Sequence, residues 1–179
     1  MARTPDATTI LHGDRVELQR LREHDLDAVV AQWSTSPRVR ERWPILTRDE
    51  LQVMLDADEQ SDEAVAWLIR VDGELVGMIQ QYEQADPEYR HAGIDIYIAD
   101  RFQGRGYGTD AVRTLARHLV HTLGHHRLII DPAADNEPAI RCYEAVGFRR
   151  VGVMRRYERG GDGSWHDGLL MDLIADELT

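Results

Sequence analysis

Apolar positions alternate with polar ones from Arg15 to Leu21, at Val16, Leu18 and then Leu21, which predicts a first strand. Leu26, Val29, Val30 and Trp33 then fall on one helical face, and Pro37 is expected to end that helix. A loop from Arg38 to Leu46 follows. Thr47-Arg48-Asp49-Glu50 has the form of a capping box opening a second helix, with Leu51, Met54 and Leu55 inward. Two runs rich in β-formers, Ala64 to Val71 and Leu75 to Ile79, flank Asp72-Gly73 and predict a hairpin. The polar stretch Gln80 to His91 extends the second run into a loop with a turn at Asp86-Pro87. Gly93 to Ala99 alternates at Ile94, Ile96 and Ile98 and predicts another strand. Val112, Leu115, Ala116, Leu119 and Leu123 form a strongly periodic helix.

Leu128 to Asp131 is expected to be a short buried strand stopped by Pro132. Asn136 suits the cap of a helix in which Ile140 and Tyr143 share a face, with Gly147 closing it. Phe148 to Met154 and Leu169 to Ile174 predict a last strand pair around the loop Gly160-Gly161-Asp162-Gly163. Residues 1–13 lack periodicity and are expected to be a loose leader, leaving 14–179 as a single domain. The expected class is α/β (mixed α+β), a mixed central sheet of about seven strands with helices on both faces.

Composition narrows the setting. A chain of 179 residues with 42% hydrophobic content fits one domain with a sizeable core. No apolar run approaches a membrane span, and the first residues lack the hydrophobic region of a signal peptide. The single Cys142 can form no internal disulfide, so a reducing, cytoplasmic setting is expected. A net charge of −11 argues against nucleic acid as a partner and is compatible with a cationic small molecule, although acidity also serves solubility alone. The pattern does not separate a monomer from a homodimer.

Between the isoleucine strand and the periodic helix lies Gln103-Gly104-Arg105-Gly106-Tyr107-Gly108. A glycine turn there presents backbone N–H groups and a positive helix end to an anion, typically phosphate. A P-loop is excluded because the chain has no lysine, all 21 basic Lys/Arg positions being Arg. The dinucleotide spacing is excluded because the third glycine falls one place early. The remaining pattern, Gln103, Gly106 and Gly108 as Q-x-x-G-x-G, resembles the acetyl-CoA motif of the GNAT superfamily of N-acetyltransferases. The order of predicted elements is also similar to that superfamily. The resemblance implies acetyl-CoA as cofactor, held by Tyr97, Ile98, Gln103, Gly104, Arg105, Gly106, Tyr107, Gly108 and Thr109, with Asn136 either a further CoA contact or only a helix cap.

Gly93-Ile94-Asp95, Asp131-Pro132 and the run Asn136 to Phe148 look like the aminoglycoside 6′-N-acetyltransferases, as does Leu21 to Leu26 with Trp43 beyond it. Asp95 interrupts the isoleucine alternation, so it lies on the opposite sheet face from Ile94 and Ile96. The resemblance implies that Asp95 contacts the acceptor amine, as a base or through water, and that Tyr143 is the general acid at the CoA sulfur. It also implies that Asp131 binds acceptor amines, where plain sequence reads a strand-end turn residue. Glu83 reads equally as negative potential at the acceptor mouth and as a solvated loop carboxylate, and Trp43 reads first as a partly buried loop aromatic and second as a wall of the acceptor site. The oxyanion donor is expected to be a backbone N–H near Tyr97 or Ile98. His118 and His121 fall with Arg113, Thr114 and Arg117 on a polar helix face, so no metal site is expected. Cys142 has no His-Asp partners and is expected to be inert. The function expected is direct acetyl transfer to an amine of a small polycationic acceptor, an aminoglycoside-like sugar. The alternatives are a siderophore hydroxylamine, a protein or peptide amine, and a non-catalytic acyl-CoA-binding module.

Overall fold

The computed structural model describes residues 9–43, 47–60, 64–160 and 163–178. Among these, one sheet holds eight strands: β1 (Ile10–His12), β2 (Glu17–Arg20), β3 (Ala64–Val71), β4 (Glu74–Gln84), β5 (His91–Ile98), β6 (Arg127–Ile130), β7 (Arg149–Arg159) and β8 (Trp165–Ile174). They lie in the order β1-β2-β3-β4-β5-β6-β8-β7. All neighbours are antiparallel except β5 and β6, which run parallel. Five α-helices cover the sheet: α1 (Leu26–Ser34), α2 (Pro37–Arg42), α3 (Arg48–Gln60), α4 (Tyr107–Arg117) and α5 (Glu137–Glu144).

Strand alternation divides the core into two layers. On one face Leu26, Val29, Trp33, Val39, Leu51 and Leu55 pack on Ala66, Leu68, Met78 and Tyr97. On the other, Ala111, Val112, Leu115, Leu119, Ile140 and Tyr143 pack on Val65, Trp67, Ile69, Ile79 and Ile94. The predicted hairpin forms at Asp72 and Gly73, whose φ values of 50° and 79° are those of a primed two-residue turn. The capping box also forms, Glu50 accepting from the Thr47 N–H (2.8 Å) and Thr47 Oγ1 accepting from the Glu50 N–H (3.2 Å).

Several expectations change. The sheet has eight strands, not about seven, because Ile10–His12 pairs with Glu17–Gln19 inside the expected leader; three residues are too few to show a period. The rest of that leader, residues 1–8, lies outside the described residues, as do Gly161 and Asp162 of the last loop. Pro37 starts a helix where it was expected to end one, because the first helical position needs no N–H. His118 is buried with its ring 6.0 Å from Trp67, not solvated. It lies three, four and seven residues after Leu115, Thr114 and Ala111, all buried, and so falls on the inward face of α4 by ordinary helical spacing; a π turn over His118–Thr122 begins only there, with Leu123 N–H bonded to the His118 carbonyl. No helix among the described residues is long and apolar enough to cross a membrane.

The connection into β2 is bolted to α4. Asp110, in the first turn of α4, accepts backbone N–H groups from Asp14 (3.1 Å), Arg15 (2.7 Å) and Val16 (3.0 Å). In mid-sheet, Tyr82 of β4 faces Gly93 of β5, and its ring lies across that glycine. A Cβ at Gly93 would sit 1.9 Å from Tyr82 Cζ. Gly93→Ala is therefore expected to cost about 1–3 kcal/mol by overpacking, read as a lower melting temperature. The same change in a Tyr82→Ala background should cost clearly less; equal costs would show that the ring is not the obstacle.

Candidate active site

The parallel pair β5–β6 meets only at Ala92–Leu128 and Gly93–Ile129. Beyond Gly93, β5 stays paired with β4 as far as Ile98, while β6 leaves it. The Ala99 N–H donates to the Val76 carbonyl at 2.9 Å. By alternation the N–H groups of Asp95 and Tyr97 then point toward β4, and those of Ile96 and Ile98 toward the opened gap. Gln103 Nε2 donates to the Ile98 carbonyl at 2.9 Å, tying the glycine turn to the end of β5.

The turn itself adopts a conformation that selects glycine. Gly104 and Gly106 have φ of +72° and +82°, and Gly106 is the N-cap of α4 without a side-chain cap bond. A Cβ on Gly104 would meet nothing within 4 Å, so backbone conformation, not crowding, sets that residue type. A cleft of about 1300 Å³ runs from this turn along Ile98 and Tyr97 to Asp95, Asp131 and Tyr143. Gly104, Gly106, Tyr107, Gly108 and Thr109 line one end of it, and Asn136 lines it while also capping α5 through Ala139 N–H (3.4 Å). An uncapped helix start at one end of a long cleft fits a pyrophosphate with an extended arm behind it.

The far end is acidic. Asp95 projects to the α1–α3 side of the sheet as expected and accepts from Gln80 Nε2 at 2.9 Å. Burial pushes its carboxyl above the ordinary range, Gln80 opposes that, and the charge of Asp131 reinforces it. Glu158 is raised by burial and by Asp131 and Asp95. The Tyr157 hydroxyl is pushed up to about 12, first by its hydrogen bond to Asp131 and then by burial. Tyr82 is raised by burial, then by Asp131 and Asp95. Tyr143, 6% exposed with its ring edge against Phe148, is raised chiefly by burial, so its proton stays on at neutral pH. Trp43 stands edge-on to Tyr97 at 5.5 Å and walls the cleft.

Two sequence-predicted residues lie elsewhere. Glu83 is one residue past Tyr82 and so faces the other side of the sheet, where it pairs with Arg90 at 2.8 Å. Arg105 turns its side chain toward the Phe102 ring (5.7 Å) and is absent from the cleft wall. Conversely, Gln80, Tyr82, Tyr157 and Glu158 line the cleft and were not singled out from sequence. Gln80-Gln81-Tyr82 follows an apolar run, and polar side chains continuing a strand inside a hairpin partner were the available signal for the first two. Cys142 also lines the cleft, accepting from Thr109 Oγ1 at 3.2 Å, and burial raises its thiol, which disfavours the thiolate. Among the described residues no group of His, Cys, Asp and Glu could hold a metal ion.

Residues 15–149 match the model of the acetyltransferase (GNAT) domain. The aminoglycoside N(6′)-acetyltransferase type 1 of Klebsiella pneumoniae is 31% identical over 161 residues, covering 79% of this chain and 78% of that protein. Among solved structures, Mycobacterium smegmatis RimJ in complex with CoA-disulfide superposes with a TM-score of 0.85 at 23% identity, over 96% of this chain and 90% of that one. RimL, a ribosomal L7/L12 alpha-N-protein acetyltransferase in complex with coenzyme A, gives a TM-score of 0.83 at 21% identity, over 94% and 99%.

Because the folded chain raises the Asp95 pKa, ionising Asp95 costs folding free energy. Its stabilising contribution is complete below the unfolded pKa and is lost as pH rises through the folded one. Asp95→Asn is thus expected to melt a few degrees higher than wild type at neutral pH, with the gap closing below about pH 4. An Asn variant that is less stable at every pH would contradict the assignment of a desolvated carboxylate.

Proposed function

The chain belongs to the acetyltransferase (GNAT) family, an acyltransferase with acetyl-CoA as donor, and on that premise we propose that its acceptor is a small polycationic amine of the aminoglycoside type. The observation that carries this reading is the acidic end of the cleft, where Asp95, Asp131 and Glu158 converge with Tyr82 and Tyr157. Burial first, and then the charge of Asp131, raise Asp95; burial first, and then Asp131 and Asp95, raise Glu158; an incoming cation relieves that repulsion. The resemblance to the Klebsiella pneumoniae aminoglycoside enzyme supports the same acceptor class.

Acetyl-CoA, when bound, supplies the activated acyl carbonyl. The turn Gly104 to Thr109 and the N-terminus of α4 bind its pyrophosphate, and Asn136 flanks the arm. The Ile98 N–H, facing the gap between β5 and β6, holds the carbonyl oxygen as negative charge develops on it. Asp95 receives the amine's proton directly or through one water, and its raised pKa brings it closer to an ammonium than an ordinary carboxylate would be. The new C–N bond replaces the C–S bond, and Tyr143 gives its proton to the departing thiolate. Asp131, paired with Tyr157, and Trp43 orient the rest of the acceptor. Transfer is direct, within a complex of both substrates.

Release of CoA thiol from acetyl-CoA, with kanamycin or tobramycin as acceptor and a basic peptide in parallel, tests the acceptor class. Turnover with the aminoglycosides alone is the expected result, and turnover with the peptide alone would overturn it. Tyr143→Phe is expected to lower kcat by about a hundredfold with little change in the Kd for acetyl-CoA; unchanged kcat would remove the general-acid role.

A further inference from the structure

Arg15 lies before β2, far in sequence from the glycine turn, yet it touches the turn at three points. Its Nη1 donates to the Arg105 carbonyl at 2.6 Å, its guanidinium sits 4.7 Å from the centroid of the Tyr107 ring, and its Nη1 lies 3.5 Å from where a Cβ on Gly106 would be. Its own backbone N–H is held by Asp110, in the first turn of the helix that the glycine turn begins. The side chain is exposed, so these contacts are not a by-product of core packing.

The Arg105 carbonyl and the Gly106 N–H belong to one peptide unit. That unit is planar and trans, so its C=O and N–H point in opposite directions. Gly106 at φ +82° could otherwise flip this peptide at little cost, since glycine occupies both signs of φ readily. Fixing the carbonyl on Arg15 therefore fixes the N–H on the far side, and Gly106 borders the cleft. It also engages a carbonyl oxygen whose partial negative charge would otherwise be free to turn toward an anion. We propose that Arg15 is a positioning residue for the cofactor turn, locking the Arg105–Gly106 peptide so that its N–H faces the pyrophosphate. This rests on the reading that the turn binds the cofactor, and it adds a residue from outside the glycine motif.

Titration of wild type, Arg15→Ala, Arg15→Lys and Gly106→Ala with acetyl-CoA, together with steady-state kinetics, tests the assignment. Arg15→Ala is expected to raise both Kd and KM for acetyl-CoA roughly tenfold, the size of one charge-assisted hydrogen bond, with kcat and the acceptor KM within about twofold. Arg15→Lys, which keeps a cationic donor of similar reach, is expected to recover much of the loss. The deficit of Arg15→Ala should persist in roughly 0.5 M salt, where a general attraction for the polyanion would be screened. Gly106→Ala should weaken binding as well. If Gly106→Ala weakens binding and Arg15→Ala does not, or if salt abolishes the Arg15→Ala deficit, the turn remains the cofactor site and the positioning role is wrong. If neither variant changes affinity, the reading of the turn fails along with it.

Discussion

The parting of β5 from β6 after two paired positions is the constraint on which the rest depends. A continuous ladder there would bond the Ile96 and Ile98 amides to β6 and close the sheet. Instead β6 stops at Ile130, and Pro132, which has no N–H to give a ladder, lends its carbonyl to Leu169 of β8 at 2.8 Å. The Ala134 N–H then bonds to the Asp167 carbonyl at 2.8 Å, drawing the chain further onto β8. The gap is thus held open by bonds made elsewhere. It leaves strand amides facing a cleft that a substrate carbonyl can enter.

That gap joins two regions of opposite character. At one end the backbone N–H groups of the turn and the start of α4 favour an anion. At the other, Asp95 and Glu158, both raised first by burial and then by the charge of Asp131, favour a cation. Tyr143 also lines the cleft, its proton held on by burial. The sheet enforces this order because Asp95 and Tyr97 lie on one face of β5 and Ile94, Ile96 and Ile98 on the other. A net charge of −11 favours cations in general, whereas the glycine turn offers an anion local backbone dipoles.

Local chemistry was legible in the sequence wherever one short segment determined the outcome. The Asp72-Gly73 hairpin, the Thr47 box, the Asn136 cap and the face of Asp95 follow from such segments. The misplaced features depend on long-range context. Glu83 missed the cleft because one residue of register changes the sheet face, and polar composition does not state the register. His118 is core because it shares a helical face with Ala111, Thr114 and Leu115, and the polar type of Thr114 and His118 hides that this face is the inward one. β1 is too short to carry a period and exists because β2 offers an edge. Tyr157 and Glu158 enter the cleft from a strand whose irregular pairing between Met154 and Glu158 could not be read from its residues. Arg15 carries no motif, and only the folded chain brings it to the turn.

A crystal structure with acetyl-CoA bound tests the central claim most directly. The account predicts the pantetheine arm in the gap between β5 and β6, the thioester oxygen about 3 Å from the Ile98 nitrogen, and the sulfur beside the Tyr143 hydroxyl. An arm lying outside the gap, or a carbonyl turned away from Ile98 toward the acidic end, would contradict it.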